Sequence, residues 1–338
     1  MAEPFYRGWM DMTQFDFYPD ASRALSLDRG MHRELGLSLR HVFEASKAAI
    51  QFDQIGMNRL IDQLSGPTVV SPAVFARYYE LVEAITDDRL NEARRLFDEL
   101  ANAKPVPKTL RVVTLGEPEL GEESERYSRL MNADASIDLG FLPPVPEVAA
   151  AFRERLAHGI RLLDTVLPEL AGEIRAIVHQ VVIVGSNPTA KFQFDGGSHY
   201  QLWGALFLNG NFHPDEIAVA EVLAHESAHS LLFGFCTHEP LVYNDDEELF
   251  SSPLRVDKRP MDGIYHATFV SARMHWTMSR LAQSDALDIQ QKQRARAAAE
   301  TDAVNFNAGY GVVAEHADLS SHGRSLMASP KAYMDSVR

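Results

Sequence analysis

The chain has 338 residues, 46% of them hydrophobic and 23% charged, with a formal net charge of -15 at pH 7. That length buries a substantial core in one large domain or two, and the composition is that of an ordinary globular protein. The acidic balance argues against a general binder of nucleic-acid phosphates and favours neutral or basic partners, while the single cysteine, Cys236, excludes an intrachain disulfide framework and a cysteine-based zinc ribbon. The opening MAEPFYRGWM has no positive segment leading into an apolar run, and no later stretch is apolar for long enough to span a bilayer. A cytoplasmic location without membrane contact is expected.

Apolar residues recur at helical spacing from about Met31 to Leu64, then over Ala73–Ile85 and Asp88–Ala103, so the N-terminal third is expected to be helical. Lys104-Pro105-Val106-Pro107-Lys108 interrupts the pattern and sets a soft boundary, dividing the chain into residues 1–105, 106–310 and 311–338. Leu110–Leu115 reads as a short strand or a linker, and Glu147–Ile177 is again helical in period. The β-branched run Val178–Val184 ends at Gly185-Ser186-Asn187-Pro188, which fits a strand followed by a turn. Phe192–Phe194 and Tyr200–Leu208 read as two strands joined by the glycine-rich connection Asp195-Gly196-Gly197-Ser198. Beyond Tyr310 the chain is turn-rich and weakly periodic. The class predicted is α+β: mainly helical, with a small antiparallel or mixed sheet beside the helix described next.

That helix contains His225-Glu226-Ser227-Ala228-His229, an HExxH pattern. Pro214, Asp215 and Glu216 suit the start of a helix, and Ile217, Val219, Val222, Leu223, Leu231 and Leu232 supply a buried body. Residues four apart share a helix face, so His225 and His229 can converge on one metal ion. Two histidines leave a divalent ion under-coordinated, and a third protein ligand is expected downstream. The metzincin extension would need Gly at 232 and His at 235, where this chain has Leu232 and Phe235. Glu247 and Glu248 lie in an acidic stretch that reads as a solvated loop, and His238 is off pattern. His266 is the better candidate, because it sits among apolar residues near the start of a helix that follows Pro260 and continues to about Leu281. His275, further along, reads as packing. Between the two helices lie Arg255 and Arg259, which are either surface charges or a fork that pairs with a carboxylate.

Taken together, HESAH, SPLRVDKRP and DGIYHATFV resemble the HExxH-type 2-oxoglutarate-dependent peptide β-hydroxylases associated with ribosomally made peptide natural products. The resemblance covers about Val178 to Leu281. It implies an iron(II), 2-oxoglutarate and O2-dependent oxygenase that hydroxylates the β-carbon of a residue in a precursor peptide. His225, His229 and His266 would hold the metal, Arg255 or Arg259 would anchor the cosubstrate carboxylate, and Glu226 would orient a ligand or a bound water. The alternative from the same residues is a zinc metallopeptidase with Glu226 as general base. A noncatalytic peptide binder with a structural metal would need a fourth protein ligand, and the sequence offers no clear one.

Overall fold

The structure is a computed structural model that describes residues 15–132, 140–187, 189–190, 194–252, 254 and 257–337. Asp20 accepts hydrogen bonds from Ser22 N and Arg23 N and so starts α1 (Ala21–Ser46), whose buried stripe includes Ala24, Leu27, Leu35, Leu39 and Phe43. Asp53 caps α2 (Gln54–Leu64) in the same way. The break between these helices divides what the periodicity reads as one helical run. There follow β1 (Val69–Val70), α3 (Pro72–Thr86) with Ser71 as cap and Pro72 in its first turn, α4 (Leu90–Ala101), β2 (Pro105–Val106), which pairs with β1, and β3 (Arg111–Thr114). Leu110–Leu115 is therefore mostly strand.

After α5 (Glu123–Met131) and β4 (Phe141–Leu142), the helical stretch Glu147–Ile177 is split into α6 (Pro146–Val166) and α7 (Pro168–Ile177). Proline has no amide proton to continue the first helix, and its ring suits the first turn of the second. Next come β5 (Gln180–Ser186), β6 (Gly196–Ser198), β7 (Ala205–Asn209) and α8 (Glu216–Phe235). The chain closes with β8 (Leu249–Phe250), β9 (Arg259–Pro260), α9 (Met261–Gln283), α10 (Ile289–His316) and α11 (Ser321–Ser336). The tail beyond Tyr310 is thus helical, contrary to the turn-rich expectation. α11 carries Pro330 in its interior and is held by packing on α9, where the Tyr265 hydroxyl donates to the Gly323 carbonyl at 2.8 Å.

The sheet is mixed, in the order β3-β5-β7-β6, with β3, β5 and β7 parallel, β6 antiparallel to β7, and β4 antiparallel to the end of β5. Side chains alternate across it. Val181, Ile183, Leu206 and Leu208 face the main helical core, while Val182, Val184 and Phe207 face a smaller cluster with Tyr127 and Phe141. Burial on both faces explains why β5 is an unbroken apolar run. One core includes Leu39 of α1, Leu232 of α8 and Leu326 of α11. No helix among the described residues is long and apolar enough to cross a membrane.

Two expectations along this sheet are corrected. Tyr200–Leu202 is a 3-10 turn, so the strand expected over Tyr200–Leu208 begins only at Ala205. The supposed connection Gly196-Gly197-Ser198 is itself the edge strand, and residues 192 and 193 lie outside the described residues. Glycine is required there by close approach. A Cβ at Gly196 would lie 3.0 Å from both Glu226 Oε1 and Val222 Cγ2, and one at Gly197 would lie 2.9 Å from Phe194 Cε2.

Candidate metal centre

Asp215 opens α8 by accepting from Ile217 N at 3.0 Å and Ala218 N at 3.1 Å, and the helix is buried on nearly all sides. Gly159 of α6 lets that helix close onto Val219, and α9 covers another flank. His225 and His229 consequently project along one line of a helix fixed from several directions.

Their Nε2 atoms are 3.2 Å apart. Two nitrogen ligands at about 2.0–2.1 Å from one ion, at angles of about 90–110°, are separated by about 2.8–3.4 Å, so the pair fits an edge of a metal's coordination polyhedron. Glu226 Oε1 is 3.8 Å from His225 Nε2, and His225, Glu226 and His229 form a compact group of possible ligand atoms. His266 comes to the other side of His229: its Nδ1 is 3.1 Å from His229 Nδ1, and the two rings are 21° from parallel. The three histidines therefore stand in a row, with His229 in the middle, and His266 is adjacent to the pair without converging on the same point.

One set of neutral tautomers satisfies this row. His266 Nδ1–H donates to His229 Nδ1, His229 Nε2–H donates to His225 Nε2, and His225 Nδ1–H points at Met274 Sδ, 3.3 Å away. The Met274 contact leaves the proton on Nδ1 of His225 and the lone pair on Nε2, where a metal would use it. Burial lowers the pKa of all three: His225 to about 4, His229 well below its ordinary value with its two histidine neighbours adding to the effect, and His266 downward against an opposing pull from Asp262. At neutral pH they are uncharged, and an ion held between the two Nε2 atoms would require the His229 proton to sit on Nδ1 instead, donating to His266 Nδ1.

Glu226 is pushed up to about 8, first by burial and then by the negative charge of Asp195, with a hydrogen bond from Ser198 opposing the shift. Its side chain is 6% exposed against 25% for His225. β6 crosses over the carboxyl group, and the open side of the site is at His225.

Of the two arginines of the expected fork, only Arg259 lies among the described residues. Arg255 lies outside them. Arg259, on β9, faces Asp257 at 3.7 Å and packs beside Gly263 at the start of α9. Glu247 and Glu248 are exposed, as expected of a solvated acidic loop. His275 packs through Nδ1 against the Tyr333 hydroxyl at 2.8 Å. Burial pushes the Cys236 thiol up to about 12, which keeps it protonated.

A second group with metal-ligand composition, Asp28, His32 and His179, is buried between α1 and the sheet. It is a satisfied hydrogen-bond network. His32 Nε2 accepts from Val70 N at 3.4 Å, so its proton is on Nδ1, which donates to the Asp28 carbonyl at 2.8 Å. Asp28 Oδ1 accepts from Trp203 Nε1 at 3.0 Å and lies 2.7 Å from His179 Nε2. His32 therefore has no spare lone pair for an ion.

Sequence reading passed over three features of the neighbourhood: Met274 behind His225, β6 above Glu226, and a cavity of about 630 Å³. The cavity is bounded by α1, α3, the segment after α8 and the first turns of α9. It reaches Asp262 and His266 but not the HExxH residues, so His266 stands between the cavity and the histidine pair. Asp262, one turn before His266 and 3.7 Å from its Nε2, was the one legible signal, as an i,i+4 pair. A comparison with models of known protein families found no match to this chain, and a comparison with curated proteins found no similar sequence.

Proposed function

We propose that the protein is an iron(II)- and 2-oxoglutarate-dependent oxygenase that hydroxylates the β-carbon of a residue in a ribosomally made precursor peptide. The observation that carries this reading is the row of neutral histidines, half-buried at His225 and His229 and buried at His266, with the Nε2 atoms of His225 and His229 3.2 Å apart and His266 beside them. Imidazoles leaving open coordination positions suit a metal that must also accept a chelating cosubstrate and dioxygen. When bound, iron(II) with 2-oxoglutarate and O2 would supply the oxidising power that converts C–H to C–OH, with succinate and CO2 as the other products.

The chain's own part is positioning. His225 and His229 would hold the ion, with His266 completing the set after a change of ring orientation, and Met274 fixes the tautomer of His225. β6 is the outer strand of the sheet, with β7 on one side and no strand on the other among the described residues. An extended peptide added along that edge would run past Glu226 toward His225. Glu226, covered by β6, is suited to orient a ligand or a bound water. The choice of iron and 2-oxoglutarate rests on the three sequence blocks, whose arginines would anchor the cosubstrate.

A zinc metallopeptidase is the second reading, favoured by the 3.8 Å separation of Glu226 Oε1 and His225 Nε2, which is within reach of a metal-bound water. Anaerobic titration of iron(II)-loaded protein with 2-oxoglutarate separates the two. A visible charge-transfer band that saturates, and weakens in the Arg255→Ala, Arg259→Ala double variant, supports the oxygenase. Absence of the band, with zinc retained through purification, supports the peptidase. Loss of all peptide product in Glu226→Gln would point to the same rival.

A further inference from the structure

The cavity beside His266 has a chemical character of its own. Three carboxylates, Glu34, Glu239 and Asp262, contribute to its lining, and no lysine or arginine does among the described residues. Asp262 is half-exposed and has only His266 as an ion-pair neighbour among the described residues. Glu239 is held below the usual carboxylate range, first by the Tyr243 hydroxyl, and its Oε2 also accepts from Ser321 Oγ at 3.1 Å and faces His322 Nδ1 at 3.2 Å. Arg33 touches Glu34 from outside at 3.5 Å with a mostly exposed side chain, so it offsets little of that charge.

The other walls are aromatic. Tyr79 meets Tyr78 at 67° and Tyr200 at 83°, and Tyr200 meets Phe233 at 67°. These rings meet edge to face along the wall, and Tyr200 also stacks on His199 at 18°. Carboxylates and aromatic rings are the two elements that recognise an organic cation. The volume of about 630 Å³ lies in the range of ligand pockets.

We propose that this cavity, walled by α1 and α3, is the subsite for a basic side chain, lysine or arginine, of the peptide substrate. It would hold that side chain beside α9 while the residue to be modified lies at the HExxH pair, which gives the N-terminal helices their part in choosing the substrate. The inference rests on the reading of the protein as a peptide-modifying enzyme, but its test needs neither metal nor turnover.

The probes are fluorescein-labelled Gly/Ser octapeptides that differ at one central position, carrying Lys, Arg, norleucine or Glu, with binding to the full-length protein followed by anisotropy at low and moderate salt. The Lys and Arg peptides should bind about five- to tenfold tighter than norleucine, with Glu weakest and the advantage shrinking with salt. Glu34→Gln should reduce the Lys advantage by about half or more on a logarithmic scale, and Tyr79→Leu should reduce it at both salt concentrations. Equal binding of Lys and norleucine by the parent protein, or no binding of any probe, overturns the proposal, as does a Lys preference unchanged in both variants. The salt series on the unaltered protein decides the matter even if a variant fails to fold. A Lys preference together with a failed 2-oxoglutarate titration would retain the subsite and refute only the oxygenase.

Discussion

Glu173 of α7 is buried between two guanidinium groups, and its removal should be among the costliest single substitutions in the protein. Its carboxylate pairs with Arg273 of α9, accepts from Arg23 of α1 at 3.2 Å, and accepts from Asp20 N at 2.9 Å. The side chains of Glu173 and Arg273 are each 1% exposed, and that of Arg23 is 6% exposed, so solvent screens this network little. Burial already pushes the pKa of Arg273 down, against the pull of Glu173. Glu173→Gln keeps the shape and removes the one carboxylate that bridges both arginines among the described residues, leaving two buried cations and an amide. Breaking a buried pair from one side costs about 3–5 kcal/mol. An unfolding entropy of about 2.1 cal/mol/K per residue gives about 0.7 kcal/mol/K for 338 residues, so Tm should fall by about 4–7 °C. Differential scanning calorimetry of parent and variant under identical conditions measures this directly. A fall of under 1 °C would refute the argument, showing that the arginines find other partners or water.

Gly159→Ala places a methyl 2.3 Å from Val219 Cγ1, so α6 and α8 must separate; a loss of about 1–3 kcal/mol is expected by urea denaturation, and a neutral result would mean that the helices give way freely. Gly196→Val should displace β6 or the Glu226 carboxyl, and iron(II) affinity measured by competition with a chelator should drop at least tenfold while overall helicity is unchanged. Asp302, buried with Oδ2 unpartnered, is pushed up to about 8 by burial and by Glu221. The unfolded carboxyl ionises first, so this residue costs stability progressively as pH rises from about 4 to about 8. Asp302→Asn should therefore raise Tm more at pH 8 than at pH 5, and a difference independent of pH would contradict the assignment. His225 acts in the opposite sense in chelator-treated protein: its value is lowered from 6.5 to about 4, and stability should be lost as pH falls through that window. His225→Gln should flatten this acid limb in a Tm-versus-pH series, and a limb of unchanged slope would mean that other groups set it.

Local rules made a good part of this protein legible. The apolar spacing over Ala73–Ile85 and the run after Pro260 correspond to α3 and α9, and the β-branched run after Val178 to β5, because helical period, proline placement and strand preference act within a few residues. The HExxH spacing likewise predicts that His225 and His229 share a face, since a single turn of helix sets that distance. Other features were illegible because they arise from the meeting of distant segments. Gly196–Ser198 has poor strand preference and pairs as a strand only because β7 and α8 leave room there for bare backbone. α11 holds a proline within a helix because α9 supplies its packing. The apolar surroundings of His266 mark it as a candidate third ligand, yet its position across the His229 ring is set by how α9 crosses α8. The cavity joins Glu34, Tyr79, Phe233 and Asp262, residues from four separated segments, and no local pattern marks them as neighbours. The sequence by itself determined helices such as α3, α8 and α9 and the spacing of His225 and His229 within one turn; only the tertiary structure decided the row of histidines, the edge strand and the acidic aromatic cavity, because packing between segments far apart in the chain, rather than local backbone preference, sets those distances.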